Sequence, residues 1–323
     1  MATNSTESAA ATETDSVESD SVALAFRIVG IPLGIFIVVT NIAFILTMTW
    51  HKTNLVRRST QILFVSNYHC AVLAGLVLIA YSVAFPYTSS SVVTVSTPSL
   101  RSLCHLWGAL QLTLIVLDSL HIVFVSLDHS YAVTSVGCSI HTHRIGLAVL
   151  FGWLYALLIT LLTLAFDHLP STQPCRGGCD ILDLNRYYGL TLLIHVIAGA
   201  LCCAIVVANV RRTLDLHQRQ IQVTNTITYK NLLFEMRMAQ LSLLANAVLV
   251  LAWIPLTVAE VTTHAGVTSK VDAVRLTFLV GNVSYLKAIL YVAADREIRR
   301  DFARVASCTL PVQKNRSLSS SSR

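Results

Sequence analysis

Two charged residues stand alone in long apolar runs, Asp118 and Lys287. A lone charge at bilayer depth costs about 2.5–3.5 kcal/mol on insertion scales, so each is expected to face inward and to have a partner. With His69 and His121 they could form an ion or proton relay, the chemistry of a transporter or channel. Catalysis fits less well, because no paired acids, His-x-x-x-His motif or Ser/His constellation falls on runs that could face one another. No enzyme activity, cofactor or metal site is therefore expected. A second cluster, Asp128-His129-Ser130, closes an apolar run that starts after Cys104 and is interrupted only by Gln111, Asp118 and His121. Asp118 and His129 are 11 residues apart, about three helical turns, which brings both side chains to nearly the same helix face.

The runs that must position these residues lie at about 28–50, 61–85, 103–125, 145–166, 187–210, 238–259 and 276–294. A bilayer core of ~30 Å takes about 20 helical residues rising 1.5 Å each, which is the length of these runs. With 54% hydrophobic and only 12% charged residues, the composition is that of a membrane protein rather than of two soluble domains. The expected fold is all-α, a seven-transmembrane helix bundle over 22–294. No internal repeat divides it, and no pair of broken helices argues for a transporter.

Lysine and arginine set the orientation. Lys52, Arg57, Arg58, Arg211, Arg212 and the group Arg296, Arg299, Arg300 and Arg304 crowd one side, whereas the other carries scattered residues such as Arg101, Arg176 and Lys270. The N-terminus is thus expected outside the cell membrane and the C-terminus in the cytosol. The net charge of +6 follows from this topology and not from nucleic-acid binding. Residues 1–21 are Ser/Thr-rich and acidic without a basic n-region, so a disordered extracellular segment is expected, with the first span as signal anchor. Asn4-Ser5-Thr6 fits a glycosylation sequon there. Asn315-Arg316-Ser317 matches as well but falls on the cytosolic side.

Compartment sorts the cysteines. Cys104, Cys175 and Cys179 fall outside, where a disulfide persists. A bridge from Cys104 to Cys179, favoured as nearer the fifth span, or to Cys175, would pin the intervening loop over the bundle. A local Cys175–Cys179 bridge would leave Cys104 odd. Beyond the last span, Ile298 and Phe302 stand four apart between charges, the pattern of a short amphipathic cytoplasmic helix over 295–308 lying on the inner leaflet. Cys308 at its end is a palmitoylation candidate, or a free thiol. The Ser-rich 309–323 reads as a disordered tail.

Within the spans, Asn41 is an amide in hydrocarbon and needs a partner helix or a backbone carbonyl. Pro32 should kink the first helix near its outer end. In Trp253-Ile254-Pro255 the proline frees a carbonyl and bends the sixth helix, with a bulky ring at the bend.

In order and spacing, Asn41, Cys104 with a loop cysteine, Trp153, Trp253-Ile254-Pro255, Tyr291 and the Arg299-Arg300 pair of the short last helix resemble a rhodopsin-like G-protein-coupled receptor. The likeness spans almost all of 22–308. The departures are specific too. Asp128-His129-Ser130 stands where the family has Asp-Arg-Tyr, and Lys287-Ala288-Ile289-Leu290-Tyr291 where it has Asn-Pro-x-x-Tyr. The second helix lacks the family's Asp, and counting from Asn41 places that position near His69. Departures on this scale occur among orphan receptors and virus-encoded receptor homologues.

The resemblance implies a receptor that passes an extracellular signal to heterotrimeric G proteins, and to arrestin, through movement of the sixth helix. It places Gln111 and Trp253 in the ligand pocket. Gln111 stands where amine receptors carry Asp, which disfavours a cationic amine, and Gly281 where opsins carry the Schiff-base lysine, which disfavours retinal. A small polar ligand or a peptide remains, or no ligand and a hydrogen-bonded glutamine. The family fold sets Asp118 opposite the face of Ser284, Lys287 and Tyr291, in a pocket where relatives bind sodium, so the ammonium would replace the ion; the alternative is Lys287 snorkelling to the inner interface, with Asp118 protonated. Asp128, His129, Ser130, Glu235 and Tyr291 would form the G-protein-coupling switch, with Glu235 as the resting partner of position 129. The alternative is a signalling-poor homologue acting by pairing with other receptors in the membrane lipid.

Overall fold

Apolar runs of this length become helices in lipid because every backbone N–H and C=O must be satisfied within its own segment. The computed structural model describes residues 26–50, 58–84, 98–134, 142–167, 237–238, 240–255, 258 and 279–307, together with scattered helical residues between 194 and 215. Among them no strand occurs. The elements are α1 (Ile31–Trp50), α2 (Arg58–Ala84), α3 (Pro98–Thr134) and α4 (Thr142–Asp167), then the helical residues of α5 between 194 and 215. They continue with α6 (Gln240–Pro255) and α7 (Leu279–Ala294) and end with α8 (Arg296–Ala306). The segments Ile28–Thr49, Arg58–Val83, Ala109–His129 and Arg144–Leu162 are each long and apolar enough to cross a membrane.

The helix carrying Asp118 is the axis of the bundle: 72% of the α3 span is buried against 22% of that of α4. Leu150, Phe151, Leu154, Leu158 and Leu161 of α4 are exposed, as apolar side chains facing lipid should be. α1 packs on α2, α2 on α3 and α3 on α4, while α8 packs on α1 and α7. The α1–α2 contact is made backbone to backbone. A Cβ on Gly34 would lie 2.9 Å from the carbonyl oxygen of Gly75, and one on Gly75 3.0 Å from that of Gly34, the small-residue packing that lets membrane helices touch.

Two irregularities bear on the site. At the outer end of the first span, where Pro32 is expected to bring a kink, a single π-turn, Phe26–Gly30, leads into α1. In α7, Val283–Lys287 is a 3-10 stretch that passes into α-helix at Ala288, without a proline to force it. Asn41 Nδ2 donates to the Tyr285 carbonyl within this stretch at 3.0 Å and to Ile37 O at 2.7 Å, so the lone amide of the first span fixes the tightened turn. The end of α7 is equally defined. Asp295 is extended and caps α8, accepting the Ile298 N–H on Oδ1 at 2.9 Å, and buried Ile298 joins the core of Phe44, Phe64 and Tyr291.

Candidate functional site

Lys287, the last residue of the 3-10 stretch, and Asp118, midway along α3, form an ion pair with side chains 1% and 0% exposed. The Lys287 ammonium also donates to Asn67 Oδ1 on α2 at 2.9 Å. One cation thus ties α2, α3 and α7, and the pairing with a hydrogen-bonded third group is what makes two charges tolerable away from water. Just above, Trp253 of α6 is 1% exposed and donates from Nε1 to Ser284 Oγ at 3.1 Å. Its indole lies on the backbone of Gly281, where a Cβ would come within 2.6 Å of the ring. A lysine at that position would have to displace the tryptophan. Gln111 is buried, and neither of its amide atoms has a hydrogen-bond partner among the described residues; the same holds for Asn246, two turns before Trp253. Buried polar groups of this kind are ordinarily completed by a protein group, water or a ligand.

At the α8 end of the bundle, Asp128 and His129 are both buried. Asp128 Oδ2 accepts from Thr60 Oγ1 at 2.5 Å and from Ser59 Oγ at 3.4 Å, so this carboxylate is held by α2. The Tyr291 hydroxyl lies 3.2 Å from Ser242 Oγ of α6, and its ring packs against Phe44, Phe64 and Tyr68. The structure therefore connects α6 to α7 at two levels, Trp253–Ser284 and Ser242–Tyr291.

Helix α2 differs from the sequence expectation. His69 is exposed, its Nδ1 satisfied by Val65 O at 2.6 Å, and it faces away from the bundle, whereas Asn67, two residues earlier, meets Lys287. His121 is buried with Nε2 2.8 Å from Ser66 Oγ. A relay linking His69 to Asp118 and Lys287 is thus not assembled. Asn67 escaped the sequence reading, although an amide in an apolar span carries the same signal as Asn41; Thr60, Ser242 and Asn246 gave weaker signals, being small or singly polar among apolar neighbours. Cys104 and Ser130 lie within α3, but their side chains are outside the described residues, as are Asn4, Cys175, Cys179, Glu235 and Cys308.

These helices, their buried polar ties and the terminal amphipathic α8 define a seven-helix membrane bundle. The bundle is similar to the crystal structure of squid rhodopsin, with a TM-score of 0.69 over 90% of this chain and 87% of that one, at 16% identity. The chain has a rhodopsin-like fold. No protein-family model matches the sequence, and no curated protein does.

Proposed function

We propose that the protein is a cell-surface receptor that passes an extracellular signal to heterotrimeric G proteins through outward movement of α6, with its N-terminus outside. The observation that carries this reading is the placement of Trp253. It is bonded to Ser284, three residues from Lys287, whose ammonium is shared by Asp118 and Asn67. A displacement of α6 is thereby felt in α7 and α3. In this reading the Lys287 ammonium occupies the place of the sodium ion of relatives, and signalling is insensitive to sodium. Gln111, buried and with no amide partner among the described residues, recognises a polar group of the ligand, a small molecule or a peptide. Expression without ligand in cells carrying a panel of G-protein and arrestin reporters tests the reading. Modest output above vector control in at least one reporter is expected; silence across the panel, at verified surface expression, overturns it.

A second reading is a signalling-poor homologue that acts by pairing with other receptors. It is favoured by His129, which is shorter than arginine and lacks its fork of donors, beside an Asp128 already engaged by Thr60. Altered surface level of a co-expressed receptor, with reporter silence, is its signature.

A further inference from the structure

Between the last turn of α1 and the first turns of α2 lies an open groove of about 410 Å³. Its walls change character with depth. Arg58, the first residue of α2, stands exposed at the mouth with no acidic partner among the described residues. Gln61 follows one turn deeper, and then Ile62, Val65 and Met48 form an apolar wall. From Arg58 to Val65 the helix rises about 10 Å. A guanidinium, an amide and an apolar slot in that order match a molecule with an anionic head, polar linkages and a hydrocarbon tail. We infer that this groove binds a single anionic glycerophospholipid, its phosphate on Arg58 and Gln61 and one acyl chain along Ile62 and Val65.

Charge and position select this occupant. The groove opens at the end of the bundle that carries α8, which the Lys and Arg distribution assigns to the cytosolic leaflet, the leaflet rich in anionic lipid. A guanidinium forms paired, charge-assisted hydrogen bonds with phosphate oxygens, and a head of net negative charge is favoured beside it over a neutral zwitterionic one. The groove also communicates with the core: Ser66, on its wall, bonds the buried His121 of α3.

The orientation rests on the proposed topology, but lipid retention by the purified chain does not, so the two can fail separately. The full-length protein is equilibrated in nanodiscs of equal phosphatidylserine and phosphatidylcholine, and native mass spectrometry counts the lipid that stays bound. One phosphatidylserine is expected to be retained in preference to phosphatidylcholine. Arg58→Gln should reduce that preference roughly fivefold, the effect of one cation near an anionic surface. Ile62→Trp or Val65→Phe, which fill the slot and keep the charge, should reduce retention as much, while Arg296→Gln in α8 should not. Equal retention of the two lipids overturns the inference. So does loss in both arginine variants with none in the slot-filling ones, the signature of a diffuse basic surface.

Discussion

Lys287 reaches Asp118 from the last residue of a proline-free 3-10 stretch, and the two side chains are 1% and 0% exposed. Removing one member leaves a buried charge without compensation, at a cost of about 3–5 kcal/mol. Lys287→Ala and Asp118→Ala should therefore each lower thermal stability in detergent, while the double variant recovers part of the loss. Asn67→Leu should cost less, about 1–3 kcal/mol, because it removes one acceptor and leaves the ion pair. Strictly additive losses in the double variant would falsify the coupling.

How far this site was legible in the sequence depends on helical phase. Within one helix, spacing fixes the face, so Asp118 with His129 on α3, and Ser284 with Lys287 and Tyr291 on α7, could be grouped before any coordinates; all are buried. Between helices, counting from Asn41 had to cross residues 51–57, and a two-residue error turns a helix by about 200°. That is the difference between inward Asn67 and outward His69. The seven apolar runs were visible from composition alone. The ties of Thr60 to Asp128 and of Ser242 to Tyr291 were not, because a single hydroxyl in a membrane helix can satisfy itself on its own backbone, as Thr40, Thr47 and Ser82 do.

The seat of Trp253 on Gly281 leaves no room for a methyl group. Gly281→Ala must push the indole off the α7 backbone and stretch its bond to Ser284, an overpacking cost of about 1–3 kcal/mol. Lower thermal stability is expected together with changed basal output, because the ring that links α6 to α7 is displaced. Ser284→Ala removes the bond but keeps the space and should be milder. Unchanged melting of Gly281→Ala, measured with the native chain alongside, would show that the ring moves freely.

His129 offers a test of coupling strength. Under the proposed receptor function, and at matched surface levels, His129→Arg should raise maximal G-protein output by supplying a permanently charged, forked side chain. Thr60→Val, which releases Asp128 Oδ2 from its 2.5 Å bond, should add to that gain by freeing the acid beside position 129. Glu235→Ala is expected to raise basal output if that acid restrains position 129 at rest. Identical reporter traces from all these variants would mean that His129 is a packed position indifferent to its chemistry.

The Ser242–Tyr291 contact, 3.2 Å between hydroxyl oxygens, lies 11 residues before Trp253 in α6 and 7 residues after Ser284 in α7. It is the lower of the two ties between these helices and, in the proposed outward swing of α6 about Pro255, the one that breaks first, since displacement grows with distance from the pivot. Both groups are buried, so the bond contributes a net ~0.5–1.5 kcal/mol to the closed arrangement. Ser242→Ala should shift the resting equilibrium toward the open state by about two- to tenfold, at a tenfold change per 1.4 kcal/mol, and raise basal output with little loss of folding. Tyr291→Phe removes the same bond and preserves the ring packing against Phe44, Phe64 and Tyr68, so it should match Ser242→Ala. The double variant should exceed neither single one. A rise in Ser242→Ala that Tyr291→Phe fails to reproduce would assign the effect to the loss of the Ser242 bond to its own backbone at Met238, and the restraint on α6 would have to be sought at Trp253 instead.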